Sequence, residues 1–277
     1  LLILIVSLLT PVFGLTDPNV IDTSNRFMLP FGEGHLLGAD HLGRDILSRL
    51  LWGTRLSLMV GVAAALIAAT AGSLIGILAG YYGGRLDMML MRSIDVLMAF
   101  PYILLALAIV AVLGPSLMNA LIAVAIVNIP FFARNVRGAT LAIAQSDYIA
   151  AAKLSGRNTF SLLLFELMPN LISVIVVAFS TTVGWMILET AGLSFLGLGS
   201  QPPQSDLGSM LGEGRAALIT HPHTSLIPGI MIFAIVMGIN LLGDGIRDAL
   251  DPRLAKGALR RALPITKIDR DLPLPRT

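Results

Sequence analysis

An all-α integral membrane protein with six spanning helices is what this sequence predicts, and three observations carry the prediction. The 277 residues are 55% hydrophobic and only 13% charged, whereas a soluble domain is charged at about a quarter of its positions. Mean hydropathy is +0.82. The apolar residues come in long runs rather than in alternating segments of about ten, which argues against a transmembrane β-barrel.

Six runs approach the roughly 20 apolar residues that a helix needs to cross a bilayer: residues 1–14, 56–80, 88–113, 117–133, 171–189 and 226–243. The first is short and starts without Met, so it reads as the latter part of a helix. A signal peptide is the competing reading, but no basic leader or small-residue cleavage site accompanies it. Residues 15–55 follow as a polar, turn-rich segment that becomes helical in character from Arg44 to Trp52. In the second run Gly72, Gly76, Gly80 and then Gly84 recur every four residues, a spacing that puts them on one helical face. Small residues so placed let helix backbones approach closely in lipid. The contact is either with another helix of this chain or with a second membrane subunit.

The third run carries Asp95, less than one turn from Arg92, toward a span end. Between the fourth and fifth runs lies D-Y-I-A-A-A-K-L-S-G-R-N-T-F-S-L-L-L-F-E-L-M-P-N, residues 147–170. Ala150, Ala151, Ala152 and Lys153 are helix formers and Gly156 stands where a helix would stop. The segment therefore reads as a short helix outside the bilayer, with Arg157 just beyond it and Pro169 opening the next run. Glu189 closes the fifth run, either as a structural hydrogen-bonding group or as a lining residue of an outer gate. Residues 194–225 then form a second long polar segment, with Q-P-P, a helix opened by Ser205 or Asp206, and H-P-H. After the sixth run comes a tail, residues 244–277, basic and Pro-containing. Asp244, Asp248 and Asp251 could share a helical face, but Arg247 and Arg253 supply charge partners and no calcium-loop pattern is present.

Orientation follows from Lys and Arg. With both termini cytoplasmic, the inside segments hold about fourteen basic residues and the outside ones roughly five. Segments 15–55 and 194–225 then lie outside and the 147–160 loop inside. The net charge of +2 is thus a topology signal and gives no reason to expect nucleic acid as a partner.

Enzyme chemistry finds little support. There is no Cys, which removes thiolate metal sites and cysteine nucleophiles. Gly38 to Arg44 spaces two glycines like a phosphate loop but lacks the Lys and Ser/Thr that would contact phosphate and magnesium. His35, His41, His221 and His223 form two loop pairs, read as solvated and short of a zinc ligand set. Ser173 and Ser180 have no intramembrane His to activate them. No acidic or His group sits mid-span as an ion-coupled transporter would want.

Several motifs in order resemble a known family. The 147–170 segment is similar to the "EAA" loop of ABC importer permeases through Ala151, Ala152, Gly156 and Pro169, with Ala150 where the family usually has Glu. L-G-A-D-H-L-G-R-D-I-L-S-R-L-L-W-G-T-R-L-S-L from Leu37, A-G-Y-Y-G-G-R-L-D from Ala79, A-F-P from Ala99, L-S-F-L-G-L-G-S-Q-P-P from Leu193 and G-D-G-I-R-D-A-L-D-P-R from Gly243 look like the dipeptide/oligopeptide branch, in particular its second permease component. The resemblance implies one transmembrane permease domain over residues 1–277 with type I importer architecture, in a bacterial inner membrane. It implies a homologous second permease, two cytoplasmic ATPase subunits that use ATP and Mg, an extracytoplasmic solute-binding protein, and no cofactor held by this subunit. The 147–160 loop, with Ala150, Ala151, Ala152, Lys153, Gly156 and Arg157, would be the coupling element, and Glu189 and Asp95 gate or pathway candidates. The solute would be a peptide or a related small molecule; glutathione, an opine or a nickel complex are alternatives within the branch, and an ion-coupled secondary transporter is a distant one.

Overall fold

The computed structural model describes residues 2–32 and 34–250. The basic tail beyond Leu250, with Asp251 and Arg253, lies outside the described residues. Ten α-helices are found among those described: α1 Leu2–Leu9, α2 Ile46–Tyr82, α3 Gly84–Met98, α4 Tyr102–Leu113, α5 Leu117–Ala144, α6 Asp147–Leu154, α7 Thr159–Leu162, α8 Met168–Phe195, α9 Leu207–Gly214 and α10 His223–Leu250. Four helices are long and apolar enough to cross a membrane: α2, α5, α10 and the continuous stretch Thr159–Phe195 that joins α7 to α8. A fifth crossing is available if the bent pair α3 and α4 counts as one span.

Two of the six apolar runs take a form that the sequence did not reveal. Helix α1 has 8 residues and gives way to a 3₁₀ turn over Thr10–Val12, where Pro11 cannot donate the next helical hydrogen bond. The run 88–113 is two helices meeting at 88°. Pro101 forces the break: it disfavours helical backbone at Phe100 and itself caps α4 in extended conformation, with φ −54° and ψ 125°.

Other elements extend beyond the apolar runs. The helical character of Arg44 to Trp52 is not a separate piece; it is the start of α2, a helix of 37 residues and about 55 Å. Asp45 caps it by accepting from the Ser48 N–H at 2.7 Å. Helix α5 continues to Ala144 because α3 neutralises its basic residues: Arg137 pairs with Asp87 and Arg134 with Asp95. Ahead of α8, residues Leu163–Leu167 form a π turn in which the Met168 N–H reaches the Leu163 carbonyl. Pro169, in the first turn of α8, could not donate to a carbonyl of the preceding turn, and the wider π turn carries the helix past it.

Small residues set the packing. A Cβ on Gly72 would lie 2.6 Å from the Phe132 Cβ, on Gly76 2.6 Å from the Ala133 carbonyl oxygen, and on Gly80 2.7 Å from the Thr140 Cβ. All three face α5, so the close approach is with another helix of this chain. Gly84 is a correction: α2 ends at Tyr82, and Gly83 and Gly84, with φ +62° and +56°, turn the chain into α3. Gly84 therefore leaves the stripe and meets nothing within 4 Å. Along the same helices Ala64, Ala65, Ala68, Ala120, Ala123 and Ala125 are fully buried and bring α2 and α5 into one core with α8, α9 and α10.

Candidate functional site

Two ends of the bundle differ in construction. At one end α6 connects α5 to α7. Ile149 is completely buried in a cluster with Ile77 of α2, Val136 of α5 and Leu162, Leu167 and Leu171 of the α7–α8 stretch, and Ala152, one turn on, packs against it. The opposite face, Asp147, Ala150, Ala151 and Leu154, is open, with Leu154 90% exposed. Asp147 in the first turn and Lys153 in the last complement the helix dipole. Lys153 also places its ammonium 5.0 Å from the Tyr81 ring centre. The helix ends on Gly156 with φ +80°. The Gly156 N–H reaches the Lys153 carbonyl at 3.1 Å and the Arg157 N–H reaches the Ala152 carbonyl at 3.4 Å, the paired closure of a Schellman motif. Arg157 is ion-paired to Glu166, which ties the exit of α6 to the π turn.

Higher in the bundle, Glu189 of α8 is half-buried. Its Oε2 accepts from Asn128 Nδ2 of α5 at 2.6 Å and its Oε1 from Trp185 Nε1 at 2.7 Å. It borders a pocket of about 350 Å³ between α4, α5 and α8. Asp95 is elsewhere: it pairs with Arg134 at 2.7 Å rather than with Arg92, and both partners are about half exposed. Asp95 does not line the pocket that Glu189 borders.

The other end gathers the two long polar segments. Asp40 accepts from Arg44 Nε at 2.7 Å and from Arg49, and both guanidiniums also reach Glu213 of α9, Arg49 at 2.9 Å. Arg49 is 1% exposed. Burial alone would raise the Asp40 carboxyl, but Arg49 and Arg44 outweigh it and hold the group below the usual carboxylate range. Asp206 caps α9 through the Ser209 N–H and accepts from Ser57 Oγ of α2 at 2.8 Å. Burial without a cation pushes its carboxyl up despite the hydrogen bonds of Ser57, Ser194 and the α9 backbone. Glycines complete the fit: a Cβ on Gly53 would lie 3.3 Å from the Leu207 nitrogen, and one on Gly208 2.2 Å from the Ala191 carbonyl oxygen. Helix α9 is thereby clamped between α2, α8 and α10.

Of the histidines expected to be solvated loop groups, His35 and His223 are largely covered, while His41 and His221 are partly exposed. His35 Nδ1 meets Asp45 at 3.0 Å, His221 stacks on Phe27 with ring centres 4.3 Å apart, and His223 is buried at the start of α10. His41 lies 4.0 Å from Glu213 and so joins Asp40 and Glu213 in an arrangement with the spacing of metal ligands. Two guanidiniums already neutralise those carboxylates and would repel a further cation.

Sequence reasoning missed the ionic cluster, because Arg44 and Glu213 stand 169 residues apart. It also missed Asn128 and the Ser57 to Asp206 clamp. The only signal available was the density of charge in two otherwise turn-like segments.

Comparison with known proteins identifies the architecture. A glutathione transport system permease, GsiD, of Pectobacterium atrosepticum is 50% identical over 222 residues, covering 80% of this chain and 74% of that protein. A dipeptide transport system permease, DppC, of Alkalihalophilus pseudofirmus is 44% identical over 251 residues, or 91% and 82% of the two chains. Among solved structures, the inward-facing MetNI methionine ABC transporter superposes with a TM-score of 0.61 at 18% identity, covering 74% of this chain and 98% of that one. An amino acid ABC transporter determined with histidines gives 0.58 at 18% identity; at such identities the likeness speaks for the fold alone. Residues 72–256 match the family described as binding-protein-dependent transport system inner membrane component. With that match, the relatives and the clamped helical bundle in agreement, the chain belongs to this family and is a permease subunit of a binding-protein-dependent ABC importer.

Proposed function

We propose that this permease forms half of a translocation pathway for peptides or closely related small solutes, and that α6 transmits ATPase movement into the bundle. The carrying observation is the two-faced construction of α6. Ile149 reaches α2, α5 and the α7–α8 stretch at once, while Ala150, Ala151 and Leu154 stay open. A surface helix so anchored moves three long helices when it is pushed. Lys153, Gly156 and Arg157 fix where it ends, and Pro169 lies in the helix that receives the motion.

In this reading both termini and α6 are cytoplasmic and the α9 end faces outward. The permease works beside a homologous second permease, two ATPase subunits that bind ATP and Mg, and an outer solute-binding protein; it holds no nucleotide itself. Nucleotide biases one side of an inward/outward equilibrium and loaded binding protein the other. The names of the two relatives favour a peptide or glutathione over an opine or a nickel complex. Asp95, which ties α3 to Arg134 of α5, fits a structural tie better than a pathway group, whereas Glu189 beside its pocket fits a pathway group.

The test is reconstitution of the complex into liposomes with its binding protein. Solute uptake should require ATP and a co-purifying pair of ATPases, and the ligand carried by the binding protein identifies the solute. Uptake without ATPases, driven by an ion gradient, would refute the reading. Cysteines placed at Ser24 and Gln204 should label from outside and one at Ser155 from inside.

A further inference from the structure

The pocket between α4, α5 and α8 has an electrostatic character that its packing role does not require. Glu189 receives one hydrogen bond on each oxygen, from Asn128 and from Trp185. Both donors are neutral. They aim the carboxylate without neutralising it, and no ion pair among the described residues includes it. Asp87 and Asp95 on α3 each have an arginine of α5; Glu189, on a longer and more apolar helix, has none. A carboxylate inside an apolar span is costly to keep unless a cation visits it.

The walls suit such a visitor. Tyr102 of α4 and Trp185 of α8 stand with ring centres 5.9 Å apart, tilted by 53°. Both are partly exposed, at 41% and 46%. Aromatic faces beside an anion attract ammonium groups, and the attraction grows as water is excluded. Ile103, Leu188 and Leu193 supply the remaining wall, and about 350 Å³ is within the range of small-molecule sites. A lone carboxylate is too few ligands for a metal ion.

We infer that this pocket is a recognition site for a primary ammonium group of the passing solute, with Glu189 as its counter-charge and Trp185 and Tyr102 as its aromatic wall. The inference rests on the importer reading, to which it adds a solute chemistry: a free amino group, as at a peptide N-terminus. Neutral and N-blocked solutes would bring no cation to the carboxylate that Asn128 and Trp185 hold in place.

The chain has 2 tryptophans, so Trp52→Phe leaves Trp185 as its reporter. The two-permease complex carrying this change is placed in nanodiscs and titrated with dialanine and with N-acetyl-dialanine. A Trp52→Phe/Trp185→Phe complex provides the background. Dialanine should shift Trp185 emission saturably, with N-acetyl-dialanine about tenfold weaker. Glu189→Gln, which keeps an oxygen for Asn128 or Trp185, should reduce that ratio to less than about twofold. Equal responses to the two compounds, no saturable response to dialanine, or an unchanged ratio in Glu189→Gln would overturn the inference. Dissociation of the two permeases in Glu189→Gln would overturn it too, by showing that the carboxylate pairs with a cation of the other subunit. The titration needs neither ATPase nor binding protein, so its failure is distinguishable from failure of ATP-driven uptake by the parent complex.

Discussion

At the α9 end charge is turned inward, and at the α6 end it is turned outward. Arg44, Arg49, Asp40 and Glu213 share contacts inside the fold, where Arg49 is 1% exposed, and Asp206 is sealed beneath α9. Around α6 the only fully buried side chain of the helix is Ile149, and the Arg157–Glu166 pair is partly exposed. Surface pairs of that kind contribute about 0–1 kcal/mol, whereas breaking a buried pair costs about 3–5 kcal/mol. One end is fixed by its own contacts; the other leaves a face of α6 open.

The contrast is broken most directly at Asp40. Asp40→Ala leaves two guanidiniums with Glu213 as their one remaining shared carboxylate and should cost about 3–5 kcal/mol, read as a large fall in the melting temperature of the purified subunit. If the protein melts like the parent, the α9 end is not the rigid end. Next in size is Gly76→Leu, whose side chain must enter the backbone of α5 at Ala133 and Arg137. About 1–3 kcal/mol of overpacking is expected, again by melting.

Gly156→Val is smaller in stability and larger in function. Its Cβ meets nothing within 4 Å, so only the φ of +80° penalises it, by about 1–2 kcal/mol. The subunit should therefore still insert and pair with the second permease, while ATPase docking and solute uptake fall together. Normal uptake by this variant would make α6 a mere connector. Ala150→Glu, on the open face, should be tolerated.

The smallest effect sharpens the comparison through pH. Asp40, lowered, adds stability that is complete above the ordinary carboxylate value of 3.8 and is lost as pH falls through its folded value. Asp206, raised, does the opposite: its contribution is present below 3.8 and is lost as pH rises through its folded value. Asp206→Asn keeps one oxygen for the α9 cap, and the Ser57 hydroxyl can turn to accept from its amide. The variant should thus gain on the parent as pH is raised above 3.8, and a constant difference in melting temperature would show that Asp206 carries no such strain.

How much was legible in advance depends on the range of the interaction. The α6 segment could be read almost residue by residue, because alanine propensity, the dipole charges and the Gly156 stop act within one or two turns. The stripe Gly72, Gly76 and Gly80 was legible as a close-packing face, but not its partner helix, and Gly84 was misjudged because spacing alone cannot reveal that α2 ends at Tyr82. The break at Pro101 was overlooked because the run was read as one span, although Arg92 and Asp95 make its first half the more polar.

By itself the sequence determined what depends on composition and near neighbours: a helical membrane protein, its apolar runs, its charge asymmetry, and a short helix ending at Gly156. Only the tertiary structure decided that α5 receives the glycine stripe, that Arg134 rather than Arg92 meets Asp95, that Asn128 and Trp185 hold Glu189, and that Arg44 and Arg49 meet Glu213. Those contacts join residues far apart in the chain, and no local preference specifies them; they form because close-packed helices bring their polar groups together where water cannot satisfy them.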